Sequence, residues 1–151
     1  MSEPKALGRR ADFIIGGEDN PYLYRWWVIP RNRWFNVYLH KIVRDDDDRA
    51  LHDHPWWNVS IILKGCYWEV LGPGLTKFRK RGSMVFRRPT AAHRLVVRNG
   101  WGSDHPGECW TLFITGPRVR EWGFLCPNGW RHWKDFTAAG DSARVGRGCD
   151  D

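Results

Sequence analysis

The chain lacks the signals that most quickly sort a sequence. No stretch of eighteen apolar residues occurs, and "MSEPKALGRRADF" does not combine a basic start with an apolar run, which excludes a membrane helix or secretory leader from the reading and leads to an expected cytoplasmic location. Cysteine is sparse: Cys66, Cys109, Cys126 and Cys149 form no CxxC pair, so reduced thiols are expected rather than a disulfide frame. Apolar residues nowhere repeat at a spacing of three and four over several turns, so little helix is expected. There is no internal repeat and no low-complexity segment. "LGPGLTK" is too short and misplaces its lysine for a phosphate-binding loop, which leaves a hairpin turn. The acidic run "RDDDDR" has neither the spaced oxygen ligands nor the glycine of a calcium loop and reads as a solvated loop.

What is present is aromatic and β-rich. Eleven tryptophans stand among 151 residues with a net charge of +7, a balance that fits a ring-packed core and attraction to anions. About nine short β-type runs, from "YLYRWWVI" through "FNVYLHKIV", "WNVSIILKG" and "YWEVL" to "CWTLFITG" and "EWGFLC", alternate with turn residues. One all-β domain is therefore expected over residues 13–136, between a frayed arm at 1–12 and a loose tail at 137–151. "VSIILKG" is apolar on both strand faces, which predicts cover by the arm or by a second copy in a homodimer. Basic and aromatic residues interleave in "YRWWVIPRNRWF" and "GWRHWKDF"; a nucleic-acid groove would look so, but a tryptophan core edged with arginine explains it more simply.

The segment "RALHDHPWWN" carries the chemistry. In a strand, His52 and His54 point to one face roughly 7 Å apart, and Asp53 points away. His93 opens a later apolar strand that an antiparallel barrel would bring beside them. His105 and His132 lie in turn-like or terminal contexts and read as surface residues.

At these residues the chain resembles the cupin superfamily, whose first motif pairs HxH with a glutamate and a glycine and whose second runs from a glycine through a proline to a histidine. His52, His54 and Gly65 fit the first, with Asn58 at the glutamate position; Gly82 and His93 keep the spacing of the second, with Pro89 shifted by one and Val97 at the family's final asparagine. The resemblance implies a single double-stranded β-helix, or jelly-roll barrel, holding a transition metal on His52, His54 and His93. A neutral amide at Asn58 is a poor metal ligand, which leaves a three-histidine face; Asn58 reads as a plain polar residue or as a hydrogen-bond partner near the site.

Such a face resembles that of the thiol dioxygenases, and "FNVYLHKIVRDDDDRALHDH" is similar to the approach to their HDH. That resemblance implies iron(II), with nickel or zinc as alternatives, and an oxygenase acting on a small anionic molecule. Arg25 would clamp a carboxylate or else pair with an aspartate of the acidic run. His40 and Tyr38 are the candidate catalytic pair, His40 being either a cavity or a core histidine, and Arg25, Asn58 and Trp110 make up the expected substrate-binding set. The cross-linking cysteine of some thiol dioxygenases would fall near Val59. Over "WTLFITGPRVREWGF" and "GWRHWKDF" the chain is similar to small cupin-type proteins of phage and prophage genomes, which implies a host cytoplasm. A non-redox sugar isomerase, epimerase or lyase with His40 or Tyr38 moving protons, and a non-enzymatic binding module, are the competing readings.

Overall fold

The computed structural model describes residues 2–46, 50–97 and 107–150. His105, Asp47 and Asp48 lie outside them. In chain order the strands are β1 (Lys5–Ala6), β2 (Arg9–Arg10), β3 (Phe13–Ile15), β4 (Leu23–Trp27), β5 (Asn36–Ile42), β6 (Leu51–His52), β7 (Asn58–Gly72), β8 (Leu75–Lys80), β9 (Met84–Arg87), β10 (Arg94–Val96), β11 (Cys109–Thr115), β12 (Gly123–Cys126) and β13 (Gly129–His132), followed by the one-turn helix α1 (Trp133–Phe136), β14 (Thr137–Ala138) and β15 (Asp141–Val145). None of the described helices is long and apolar enough to cross a membrane.

All strand pairs among the described residues are antiparallel. The main sheet has eight strands, ordered β10-β7-β11-β5-β4-β3, with β8 and β9 also paired to β7; a second sheet runs β13-β12-β6. The runs "WNVSIILKG" and "YWEVL", read as two strands, are one strand of 15 residues. It turns at Gly65, whose φ of 80° only glycine adopts freely, and a Cβ there would collide with the carbonyl oxygen of Glu108. The first half of β7 pairs with β11 and β9, the second with β8 and β10, so one strand serves both halves of the barrel.

Burial alternates along β5 and β11 with the period of two that one covered face demands. The inner face of β5 carries Asn36, Tyr38, His40 and Ile42, and that of β11 carries Cys109, Thr111, Phe113 and Thr115. Leu23, Ile42, Ile62, Tyr67, Leu95, Val97 and Cys109 form the buried apolar cluster, and Leu23, Ile42, Tyr67 and Leu95 of it also line the cavity that holds the histidines. On the outer face, where cover by the arm or a partner was expected, Leu63, Met84 and Phe86 are exposed.

Both termini differ from the expected frayed segments. The N-terminal residues form the β1–β2 hairpin, anchored where Trp26 Nε1 donates to the Arg9 carbonyl at 3.1 Å and Arg9 donates to the Trp27 carbonyl at 2.6 Å. The C-terminal residues form the β14–β15 hairpin, and Cys126 is joined to Cys149 by a disulfide, which corrects the expectation of four reduced thiols; Cys66 and Cys109 are free. Composition favoured loose ends because it counts small and charged residues; it does not register these few long-range anchors. The acidic run is likewise partly structural: Asp45 and Asp46 accept from the backbone N–H groups of Val97 and Leu95 at 2.6 and 2.7 Å, holding β10 in place.

Candidate metal centre

His52 ends β6, and His93 lies one residue before β10. The two exchange both backbone hydrogen bonds, His52 N to His93 O at 2.9 Å and His93 N to His52 O at 3.0 Å, an isolated antiparallel bridge. His54 is fixed by its own N–H donating to the Pro89 carbonyl at 3.0 Å. Asp53 faces away, as the period of two predicts: its carboxylate accepts from Gly123 N at 2.8 Å and Trp130 Nε1 at 2.9 Å, and pairs with Arg120 at 2.8 Å. The two flanking imidazoles are thereby pinned toward the barrel interior.

The ligand nitrogens of His52, His54 and His93 lie within 4.8 Å of one another. Their rings are 5.0 to 5.2 Å apart and line a cavity of about 250 Å³. His93 Nδ1 is 2.8 Å from Glu69 Oε1. Burial opposes ionisation of Glu69, but hydrogen bonds from His93 and Arg87 together with the Arg87 charge hold its carboxyl well below the usual range. An ionised carboxylate only accepts, so His93 carries its proton on Nδ1 and presents the Nε2 lone pair. Burial brings His93 down to about 4, and burial followed by the neighbouring histidines puts His54 well below the usual imidazole value. Both are therefore neutral near pH 7, the state a metal ligand requires.

A transition metal fits this donor set. Among the described residues the buried Nδ1 of His54 has no hydrogen-bond partner, an expense that coordination by one of its nitrogens would help offset. The carboxylate behind His93 is the arrangement that orients a ligating imidazole and raises its basicity.

The backing network is the part sequence reasoning missed. Glu69 on β7, with its side chain 1 % exposed, accepts from Arg87 Nε at 2.6 Å and Arg79 Nε at 2.9 Å. Arg87 on β9 also donates to Asn58 Oδ1, Ser60 Oγ and Tyr67 OH at 2.9 to 3.1 Å. Asn58 is thus placed away from the expected substrate set: it is fully buried, absent from the cavity lining, and engaged with the arginine that holds Glu69. The available signal was Glu69 in phase with buried Tyr67, and Arg87 in phase with Val85, each a charge at an inward position of a strand.

Arg25 and His40 line the same cavity. They are opposite one another in the β4–β5 ladder, and Arg25 Nε donates to His40 Nε2 at 2.9 Å. Burial brings the Arg25 guanidinium down to about 10, still a cation at neutral pH, while burial and then the Arg25 charge push His40 well below its usual value. Tyr38 lies under Arg25, whose guanidinium carbon is 4.4 Å from the ring centre, and does not itself line the cavity. Trp110 does not line it either; it stacks on Trp26 with ring centres 5.5 Å apart, because it alternates with the inward Thr111. His132 lies outside the cavity wall, with Nε2 3.0 Å from Glu121.

No protein-family model matches the sequence, and no curated protein does. Solved structures do match. The chain is similar to a Klebsiella pneumoniae protein with a double-stranded β-helix domain, at 16% identity over 68% of this chain and 83% of that one, with a TM-score of 0.50. It is similar to the polyketide cyclase RemF of Streptomyces resistomycificus, at 17% identity over 69% and 71% of the two chains, with a TM-score of 0.55. Similarity to FeII HppE has a TM-score of 0.51 at 13% identity, over 66% of this chain and 52% of that one. With the antiparallel topology, these likenesses establish an all-β cupin fold, the double-stranded β-helix expected from the histidine and glycine motifs.

Proposed function

We propose that this chain is a mononuclear metalloenzyme, an iron(II)-dependent oxygenase that acts on a small anionic substrate. One observation carries the proposal: three converging imidazoles, two of them held neutral by burial, share a cavity with a half-buried guanidinium. His52, His54 and His93 would hold the ion, which when bound supplies the redox chemistry with oxygen and a Lewis-acid face for the substrate. Three imidazoles alone suit nickel and zinc as well; the description of one similar structure as FeII HppE supports iron.

The remaining steps belong to the protein. Glu69 keeps the His93 proton on Nδ1 and the ring aimed. Arg25 neutralises and orients the anion, its planar fork offering nitrogens beyond the Nε engaged by His40. Apolar Phe113, Leu95 and Ile15 limit water in the cavity, which strengthens both interactions.

RemF is described as a cyclase, which supports a competing non-redox reading. That reading needs a proton acceptor in the cavity. His40 Nε2 already accepts from Arg25, and Tyr38 is outside the wall, so neither nominated residue is poised to take a substrate proton. His40 acts instead by positioning Arg25.

The test is elemental analysis of protein purified without chelator or metal-binding tag, beside His52→Ala, followed by oxygen uptake with small carboxylates and thiols. Near-stoichiometric iron that the variant loses, with substrate-dependent oxygen uptake, is the expected result. No metal after anaerobic loading with iron(II), nickel(II) or zinc(II) overturns the metal centre; turnover without oxygen overturns the oxygenase.

A further inference from the structure

A second chamber, of about 310 Å³, adjoins the histidine cavity. Ile15, Tyr22, Arg25, Asp46, His52 and Trp122 line both, so the guanidinium stands at the border between them, while the Asp46 carboxylate there accepts from Leu95 N at 2.7 Å. The outer chamber is walled by Phe124 and Phe136, stacked with ring centres 3.7 Å apart, and by Phe13. Its roof is β15, where half-buried Ala143 and Val145 alternate with exposed Ser142 and Arg144; all four border the chamber, the two apolar residues being the more enclosed.

That roof is strongly held. The N–H groups of Gly146 and Gly148 both donate to the Phe136 carbonyl at 3.0 Å, and Arg131 Nη1 donates to the Gly148 carbonyl at 2.8 Å. The Cys126–Cys149 disulfide ties the end of the segment to β12. The C-terminal residues therefore enclose a space lined by aromatic rings instead of collapsing into it.

We propose that the outer chamber is a substrate subsite for an apolar chain, and that the substrate is a carboxylic acid carrying an aliphatic or aryl group. This rests on the reading of Arg25 as the anion clamp. The carboxylate sits at Arg25 on the border, its near carbons face the three histidines, and the chain lies beneath β15 between Phe124, Phe136 and Val145. Small hydrophilic acids, amino acids included, leave this chamber unfilled and bind less tightly.

The test is calorimetric titration of the full-length protein with straight-chain carboxylates from propanoate to octanoate. Affinity should rise about fourfold for each methylene that enters the chamber, then level off when it is full. Ala143→Trp, which fills the chamber from the roof, should flatten the series while leaving propanoate affinity within about twofold; Val145→Phe occupies the same space should the first variant not fold. An affinity independent of chain length, with propanoate binding still weakened by Arg25→Gln, overturns the chamber and leaves the clamp standing. A rising series that neither roof variant alters also overturns the chamber. Failure of every acid to bind overturns both.

Discussion

His93 and His40 both line the cavity, and both are kept neutral by burial, yet each is tied to a partner of opposite charge. Behind His93 stands the carboxylate of Glu69; beside His40 stands the guanidinium of Arg25. A carboxylate fixes the imidazole proton on the nitrogen it touches and frees the other lone pair for a Lewis acid. A guanidinium can only donate, so it consumes a lone pair and leaves its own positive face for an anion. Two similar rings thus become a ligand and a prop, and the difference lies in the neighbour.

The comparison breaks most completely if a ring of the triad is removed. His93→Ala should abolish stoichiometric metal binding, by elemental analysis, with far-UV circular dichroism unchanged. His40→Ala should leave metal content near the wild-type value. Equal loss in both variants would make His40 part of the metal centre.

Next in size is Glu69→Gln. An amide can still accept at one oxygen but no longer neutralises Arg87, whose side chain is 4 % exposed. The stability cost should be roughly 3–5 kcal/mol, seen in urea unfolding, and metal affinity should fall about 10- to 100-fold. Unchanged affinity in a folded variant would show that the carboxylate does not tune the ligand.

That network shows where the sequence was legible and where it was not. HxH, Gly65 and His93 could be read because the first obeys strand alternation, the second a backbone constraint, and their order matches a barrel in which β6 meets the His93 segment. Glu69 and Arg87 could not, since a charge in a strand reads as solvent-facing until register is known. Here the register sets Asn58 opposite Arg87 and Ser60 opposite Val85, turning a tolerated polar position into the end of a buried chain. The disulfide was hidden for a related reason: Cys126 and Cys149 meet only after α1 and two hairpins fold between them. Trp110 was misplaced by one alternation, the error to which strand reading is most prone.

A pH series sharpens the comparison. An unfolded histidine titrates near 6.5, whereas buried His93 titrates near 4. Between those values the unfolded chain binds more protons than the folded one, so the stability of chelator-treated protein should fall as pH is lowered from 6.5 to 4, by on the order of 3 kcal/mol for His93 alone. His54, shifted in the same direction, adds to the fall. Chemical denaturation at pH 7, 6, 5 and 4 measures it, and a flat profile would mean that the rings are not buried neutral.

The smallest effect isolates the prop from the clamp. Arg25→Gln removes charge-assisted hydrogen bonds worth about 1.5–3 kcal/mol, so carboxylate affinity should drop about 10- to 100-fold while metal occupancy holds. His40→Phe keeps a planar ring against Phe113 and Tyr38, which now contact His40 with ring centres 4.9 and 5.8 Å away, but deletes the acceptor for Arg25 Nε. The guanidinium keeps its charge and its seat over Tyr38 and loses only its aim. Affinity should therefore fall by a few-fold, about 1 kcal/mol, well short of the arginine variant. Equal losses in the two variants would mean that His40 touches the anion itself, and the contrast between a ligand and a prop would have to be redrawn as one between two substrate-binding groups.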